Sequence, residues 1–166
     1  MKTLAARVVL AASLLAILML SALAVDAPDV VTPDGGRYYG PLAEGKLHGQ
    51  GEVRYRNGRS YRGEFADGTF NGEGRFEYPT GDVYEGRFVN GEFTGKGRYA
   101  RKDGARYEGE FRDWKFHGAG RYTDPQGVTY EGNFVDGSLE GRGKVAREGT
   151  VYEGGLSIGA STGKAS

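Results

Sequence analysis

Residues 107–129 read YEGEFRDWKFHGAGRYTDPQGVT, and versions of this 23-residue stretch recur along most of the chain. The stretch opens on a tyrosine, and tyrosines stand at the same place at positions 38, 61, 84, 107, 130 and 152. The steps between them are 23, 23, 23, 23 and 22 residues. A fixed period of this length indicates a repeat protein, in which each repeat is one small structural unit that stacks on the next.

Each unit keeps the same framework: Tyr, then Gly two residues later, then Phe or Leu after two more. The framework positions are Tyr38, Gly40, Tyr61, Gly63, Phe65, Tyr84, Gly86, Phe88, Tyr107, Gly109, Phe111, Tyr130, Gly132, Phe134, Tyr152 and Gly154. A Gly-x-Gly pair, such as Gly118 and Gly120, closes the unit. The spacing of two between apolar positions is the period of a β-strand, so the rings and glycines share one face and the charges the other.

Turn signals separate these short strands. Asp67-Gly68, Asn71-Gly72, Asn90-Gly91 and Asp136-Gly137 are dipeptides that tolerate positive φ and close tight turns. Glycine weakens a strand unless another group approaches its backbone closely. We therefore expect each ring to lie over glycines of its own and the adjacent strand. The sequence predicts an all-β fold, a single-layer antiparallel meander of about twelve strands, preceded by a helical signal peptide.

The first 24 residues have the pattern of a secretory signal peptide. Lys2 and Arg7 supply the positive start, residues 8–20 are almost wholly apolar, and Ala22-Leu23-Ala24 fits a cleavage site before Val25. An uncleaved membrane anchor is the alternative, and both interpretations export the repeats. The predicted organisation is signal peptide or anchor (1–24), half hairpin or linker (25–37), repeat array (38–159) and tail (160–166).

Composition argues against several functional classes. The chain has 22 basic and 22 acidic residues and no cysteine, which disfavours a nucleic-acid partner and excludes thiolate chemistry. His48 and His117 occupy the same repeat position, and Glu85 belongs to a carboxylate series that recurs in four successive units as Glu85, Glu108, Glu131 and Glu153. A catalytic pair would be unique, so we expect no catalytic residue, no metal ligand and no cofactor site.

Two groups of apolar side chains are candidate binding surfaces. The aromatic face of the sheet is either its core or, in part, an open groove for a ligand. A second group falls in segments predicted as hairpin loops, where sheet packing gives less reason for apolar residues. This predicted loop row consists of Phe70, Phe93, Trp114, Phe116 and Leu139. It is the sequence-based candidate for a partner or lipid surface.

The motif resembles the MORN repeat, the membrane occupation and recognition nexus. Tyr107-Glu108-Gly109-Glu110-Phe111 followed by His117-Gly118-Ala119-Gly120 carries the resemblance, which extends from Tyr38 to Gly159. Tyr39 and Arg62 depart from it by replacing the Glu after Tyr, Phe or Leu replaces the family's frequent Trp, and Trp114 replaces a loop glycine. The resemblance implies an antiparallel hairpin fold and an accessory, scaffolding role. Lipid binding and dimerisation are competing accounts of what such arrays do.

These observations predict a non-enzymatic scaffold for protein–protein interaction in the periplasm or cell envelope. Its partner would be another protein or a second copy of the chain. The alternative is a peripheral module that binds phospholipid at the membrane surface. Binding of cell-wall glycan is a weaker hypothesis, because known aromatic-hairpin binders use paired tryptophans and this chain has one.

Overall fold

A computed structural model describes residues 30–159, and every regular element in that range is a β-strand. The strands are β1 (Val30–Val31), β2 (Arg37–Tyr39), β3 (Leu42–Ala43), β4 (Lys46–Leu47), β5 (Gly49–Arg54), β6 (Ser60–Ala66), β7 (Thr69–Glu77), β8 (Val83–Val89), β9 (Glu92–Ala100), β10 (Arg106–Arg112), β11 (Lys115–Thr123), β12 (Thr129–Val135), β13 (Ser138–Arg147) and β14 (Thr150–Gly159). The predicted all-β hairpin meander is confirmed. The predicted signal-peptide helix lies outside the described residues.

Twelve strands form one antiparallel sheet in which spatial order follows chain order. Only β3 and β4 leave it, as a separate two-stranded hairpin between β2 and β5. Because neighbours in the sheet are neighbours in sequence, each hairpin packs on the one just before it.

Two kinds of connection alternate along the array. The tight kind has two residues, as at Asp67-Gly68, where φ is 50° and 85°. Positive φ at both positions matches the twist of the flanking strands, which is why Asp-Gly and Asn-Gly suit these turns. The wider kind spans five residues, as between Tyr78 and Asp82, where the Tyr78 amide donates to the Asp82 carbonyl and the Gly81 amide donates to the Tyr78 carbonyl.

One expected turn is wrong. Asn71-Gly72 lies inside β7, where Gly72 takes a φ of 77° and the register with β6 shifts between Gly63 and Phe65. The dipeptide therefore makes a β-bulge, which also uses glycine at positive φ, and not a chain reversal. Gly95, Gly118 and Gly141 hold the same position in later units and also have positive φ.

The tight turns are tied to one another by backbone hydrogen bonds. The Gly68 amide donates to the Leu47 carbonyl at 3.0 Å, and the Gly91 amide donates to the Phe70 carbonyl at 2.9 Å. The next two turns repeat this through Trp114 to Phe93 and Gly137 to Phe116, each at 3.0 Å. Each turn is thus anchored to the preceding hairpin.

The core lies on one face of the single sheet, where aromatic rings cover one another. Buried side chains on this face include Tyr38, Val53, Tyr61, Phe65, Phe76, Tyr84, Phe88, Phe93, Tyr99, Tyr107, Phe111, Phe116, Phe134 and Leu139. Edge-to-face contacts link successive units, as between Tyr61 and Phe88 at 4.9 Å between ring centroids. Each buried ring contributes about 1.5–3 kcal/mol, so this face is the core of the array and not an open ligand groove.

Candidate interaction groove

The predicted loop row is not an exposed surface. Phe93 and Phe116 are 0% exposed, Leu139 is 1% exposed and Trp114 is 9% exposed. Phe70 is half-buried and packs against the same core cluster. The prediction that these five side chains form a row available to a partner or a lipid is therefore wrong.

The cause is the length of the turn. Because Asp67-Gly68 alone reverses the chain, Phe70 falls inside β7 and stands opposite Phe65 in β6. Phe93, Phe116 and Leu139 are placed in the same way in β9, β11 and β13. Trp114 does lie in a turn, but its indole reaches back to Phe76 and Tyr84, each 5.2 Å away between ring centroids.

Tyr38, Tyr61, Tyr107 and Tyr152 cover glycines, as expected from the sequence, whereas Tyr84 and Tyr130 do not. Any Cβ on Gly109 or Gly120 would strike the Tyr107 side chain, so this ring needs two bare backbones. The Tyr107 hydroxyl donates to the carbonyls of Glu110 at 3.0 Å and His117 at 3.3 Å. Burial raises the pKa of Tyr107 far above its ordinary value. Tyr38 and Tyr61 lie over glycines in the same manner.

Two units differ, and in the one that begins at Tyr130 it is Leu139 that lies over Gly132. The other is the unit that begins at Tyr84. Phe93 and not Tyr84 lies over Gly86 and Gly97. Tyr84 packs instead against Tyr99, with ring centroids 4.6 Å apart, and against Trp114. Its hydroxyl is buried and has no hydrogen-bond partner among residues 30–159. Burial also raises the pKa of Tyr84 far above its ordinary value.

On the opposite, charged face, a groove of about 940 Å³ runs across the strands from β5 to β11. Its floor follows a stripe of glycines in register: Gly63, Gly74, Gly86, Gly97 and Gly109 face one another across successive strands. The absent Cβ atoms of these glycines would point toward the rings of the other face, so on the charged face the stripe is a strip of backbone between two rows of charged residues. The stripe continues toward β14, where a second groove of about 560 Å³ follows Gly132, Gly143 and Gly154.

The groove walls carry equal numbers of positive and negative side chains. Arg62, Arg75, Lys96 and Arg98 supply four cations, and Glu73, Glu85, Glu108 and Glu110 supply four anions. Along one wall the signs mostly alternate across the sheet. Arg98 lies opposite both Glu85 and Glu108, and its Nη2 is 3.5 Å from the Glu108 Oε1.

The alternation breaks once, where Arg62 replaces the motif's glutamate. Arg62 stands directly opposite Arg75 in the sheet. Arg62 is held from its other side by Glu52, at 2.8 Å between Nη2 and Oε2. Hydrogen bonds from Arg54 and Arg62 outweigh burial and lower the pKa of Glu52 below its ordinary value. Arg75 in turn contacts Glu77 at 3.3 Å and Glu85 at 4.0 Å, so both arginines are paired with carboxylates.

Sequence reasoning named none of these groove residues as a binding site. It took the recurrent glutamates as a solvated, ion-paired strand face, which is how their side chains behave. The available signal was the pair of charged residues on either side of each motif glycine, because aligned strands place these residues in two rows on one face of the sheet.

The two histidines are framework residues. The backbone carbonyls of His48 and His117 accept the hydroxyls of Tyr38 and Tyr107, at 3.1 and 3.3 Å. Within the part of the chain that the structure describes, no group of three His, Asp or Glu side chains could hold a metal ion. That same part contains no helix long and apolar enough to cross a membrane.

A family model described as the MORN repeat matches residues 42–58, 61–83, 84–106, 107–129 and 130–145. The chain belongs to the MORN repeat family. Four of the five matched segments begin at framework tyrosines identified from the sequence, and the match covers most of the described array. MORN repeats are non-catalytic and generally serve as scaffolds for protein or lipid interaction.

The other comparisons add little to the assignment of this MORN protein. No curated protein matches it. One solved structure it resembles is the TCP domain of SAS-4 (dCPAP) in complex with a proline-rich motif of Ana2 (dSTIL) of Drosophila melanogaster. The two are 14% identical with a TM-score of 0.25, over 78% of this chain and 96% of that one. At that TM-score the likeness supports no further conclusion.

Proposed function

We propose that this protein is a non-enzymatic scaffold that binds a polypeptide partner along the charged groove, in the periplasm or cell envelope. The observation that carries the proposal is the groove itself: bare glycine backbone flanked by charges of both signs. The groove crosses β5 to β11, which at about 4.8 Å per strand gives roughly 30 Å. That length accommodates an extended segment of about nine residues, at about 3.3 Å each.

The balance of charge favours a polypeptide over an anionic membrane. A surface that binds anionic lipid by charge needs clustered Lys and Arg, whereas these walls carry four cations and four anions. A polypeptide can match alternating signs with its own side chains, which gives specificity more than affinity. The aromatic rings, which would suit an acyl chain, lie buried on the other face.

The test is capture of envelope proteins by the tagged full-length chain. Arg75→Gln with Arg98→Gln removes two cations from the groove wall. Lys102→Gln with Lys115→Gln removes two exposed cations outside it and serves as the control. We expect a set of proteins retained by the wild type and the control and lost from the groove variant. Identical retention by all three chains would overturn the assignment to the groove.

Peripheral phospholipid binding is the alternative, and one observation favours it. Arg62 and Arg75 stand opposite each other with side chains 74% and 48% exposed, so their guanidinium groups could contact a phosphate headgroup. Co-sedimentation with vesicles containing phosphatidylserine or phosphatidylglycerol separates the two functions. Retention on these vesicles, lost in Arg62→Gln with Arg75→Gln and absent with phosphatidylcholine, would establish the lipid function in place of the polypeptide one.

The location rests on the pattern of residues 1–24. Cell fractionation combined with intact mass tests it: an exported, processed chain begins at Val25. Ala22→Leu with Ala24→Leu should leave the leader attached, because signal peptidase needs small residues at these positions. Recovery of the wild-type repeats from the cytosol would contradict the proposal.

A further inference from the structure

The last strand of the sheet has an unusual outer edge. On the described part of the chain, β14 pairs with β13 on one side and has no strand on the other. Tyr152 is 56% exposed and Val151 is 51% exposed, whereas the equivalent Tyr107 is buried. A long unpaired edge with exposed apolar residues is a template for another strand.

The interior of the array shows what such a strand must contain. Wherever a Tyr-Glu-Gly strand is followed by the next strand, a Gly-basic-apolar triplet faces it in reverse. Three triplets follow this rule: 97–99 (Gly-Arg-Tyr), 120–122 (Gly-Arg-Tyr) and 143–145 (Gly-Lys-Val). The glycine faces the motif glycine, the cation faces the glutamate, and the apolar residue faces the tyrosine.

Each part of the triplet has a physical cause. Tyr107 leaves no room for a Cβ at Gly120, because that Cβ would meet the ring and the hydroxyl. Arg121 lies directly opposite Glu108, where opposite charges stabilise a cross-strand pair. Tyr122 lies opposite Tyr107 and extends the ring cluster. Tyr152-Glu153-Gly154 presents the same three requirements on an outer edge, and its Tyr152 side chain already lies over Gly154.

The chain's own flanking segments do not meet these requirements. Continued in the repeat register, residues after β14 would place Ala165 where the glycine belongs, followed by Ser166. A second copy adding its first strand in the same register would place Pro28 and Asp29 there. Proline lacks the backbone donor, and Asp29 would face Glu153 with the same charge.

We propose that β14 is a strand-addition site for a partner protein that carries a Gly-basic-aromatic strand. The partner strand pairs antiparallel, with its glycine at Gly154, its cation at Glu153 and its ring at Tyr152. Main-chain hydrogen bonds supply the affinity and these three positions the selectivity. The site rests on the proposed scaffold role but not on the groove, so each can fail alone.

A peptide with the sequence of β11, residues 115–123 (KFHGAGRYT), is the probe, because in the array this strand satisfies all three requirements. Fluorescence anisotropy of the labelled peptide measures its binding to the full-length chain. We expect saturable binding that weakens about tenfold or more when the peptide carries Gly120→Ala, since the Cβ meets the Tyr152 ring. Arg121→Glu in the peptide should also weaken binding.

Reversing both charges of the pair formed by Glu153 of the chain and Arg121 of the peptide tests whether binding can be restored. Glu153→Lys in the chain should restore binding of the Arg121→Glu peptide and weaken binding of the unchanged one. Hydrogen exchange should show added protection in β14 alone. Equal binding of the Gly120→Ala peptide, protection elsewhere, or no saturable binding would overturn the site. So would a dimer of the chain, seen by sedimentation, that protects β14 and is not dissociated by the peptide.

Discussion

The units beginning at Tyr107 and Tyr84 have the same framework but opposite arrangements of their rings. In the first, Tyr107 lies over two glycines and stacks on Phe116, with ring centroids 3.9 Å apart and planes 7° apart. In the second, Phe93 takes the place over the glycines, and Tyr84 meets it edge-on at 5.3 Å. The stripe of glycines thus accepts either ring, and neighbouring contacts decide which one occupies it.

Trp114 is the neighbour that differs. In the other tight turns this position is glycine, and here the indole fills the space around Tyr84, Phe88 and Phe93. Tyr84 loses the carbonyl partners that Tyr107 keeps, and Trp114 itself takes a φ of 67°, which is costly for any residue with a Cβ. The packing of the Trp114 indole therefore offsets the free-energy cost of its own strained backbone and of the buried, unpaired Tyr84 hydroxyl.

The largest expected effect comes from removing that side chain. Trp114→Ala should lower the free energy of unfolding by about 3–5 kcal/mol, the usual range for deleting a buried aromatic side chain. Trp114→Gly deletes the same ring but relieves the positive φ, so it should be about 1 kcal/mol more stable than the alanine variant. Urea unfolding followed by circular dichroism measures both. A glycine variant less stable than the alanine variant would contradict the strain argument.

The next effect tests the bare backbone under Tyr107. Gly120→Ala should lower the free energy of unfolding by about 1–3 kcal/mol, because the ring and its two hydrogen bonds must shift. Gly155→Ala is the matched control in β14, where a Cβ meets nothing within 4 Å. Its stability should stay within about 0.5 kcal/mol of the wild type. Equal losses in the two variants would mean that glycine acts only through strand propensity.

Removal of the Tyr107 hydroxyl and removal of the Tyr84 hydroxyl should have smaller effects on stability, and these two effects should have opposite signs. Tyr107→Phe should lower the free energy of unfolding by about 1–2 kcal/mol, because it removes two partly buried hydrogen bonds to the carbonyls of Glu110 and His117. Tyr84→Phe should leave stability unchanged or raise it by up to about 1 kcal/mol, because it removes an unpaired buried hydroxyl. Urea midpoints of the two variants, compared with the wild type, decide the sign.

The smallest effect concerns alkaline pH. Burial raises the pKa of Tyr84 above the value of about 10 that it has in the unfolded chain, so the unfolded state loses its proton first. The contribution of protonated Tyr84 to the free energy of unfolding is fully present below pH 10 and is lost as pH rises above 10. Between pH 10 and 11 the wild type should lose about 1 kcal/mol more stability than Tyr84→Phe. If the free energy of unfolding fell equally with pH in the wild type and in Tyr84→Phe, the burial assigned to Tyr84 would be contradicted.

Most of the fold could be predicted from the sequence, but the packing of the aromatic rings could not. The spacing of Tyr107, Gly109 and Phe111 gives strand, face and repeat together, and the ring-over-glycine contact follows because few other contacts justify glycine inside a strand. The exchange of places between Tyr84 and Phe93, like that between Tyr130 and Leu139, could not be predicted, because it depends on how the side chains pack in three dimensions.

The candidate surface was misplaced for a related reason. Both Asp67-Gly68 and Asn71-Gly72 carry turn chemistry, and positive φ serves a turn and a bulge equally well. A loop that extended from Asp67 to Gly72 would place Phe70 outside the sheet, whereas in the structure Phe70 pairs with Phe65. The groove on the charged face was not predicted because its defining feature, two rows of charged side chains flanking the glycine stripe, appears only when strands are laid side by side.

The hydrogen bonds between successive tight turns give the array a direction of growth. The Gly91 amide can bond only after the hairpin containing Phe70 has formed, and the Trp114 amide only after that containing Phe93. Nearly all pairing is between adjacent segments, so loop-closure costs stay small and the array can assemble in the order in which its residues are synthesised or cross a membrane. A chain emerging thread-like from a translocation pore could thus fold one hairpin at a time, without waiting for its far end.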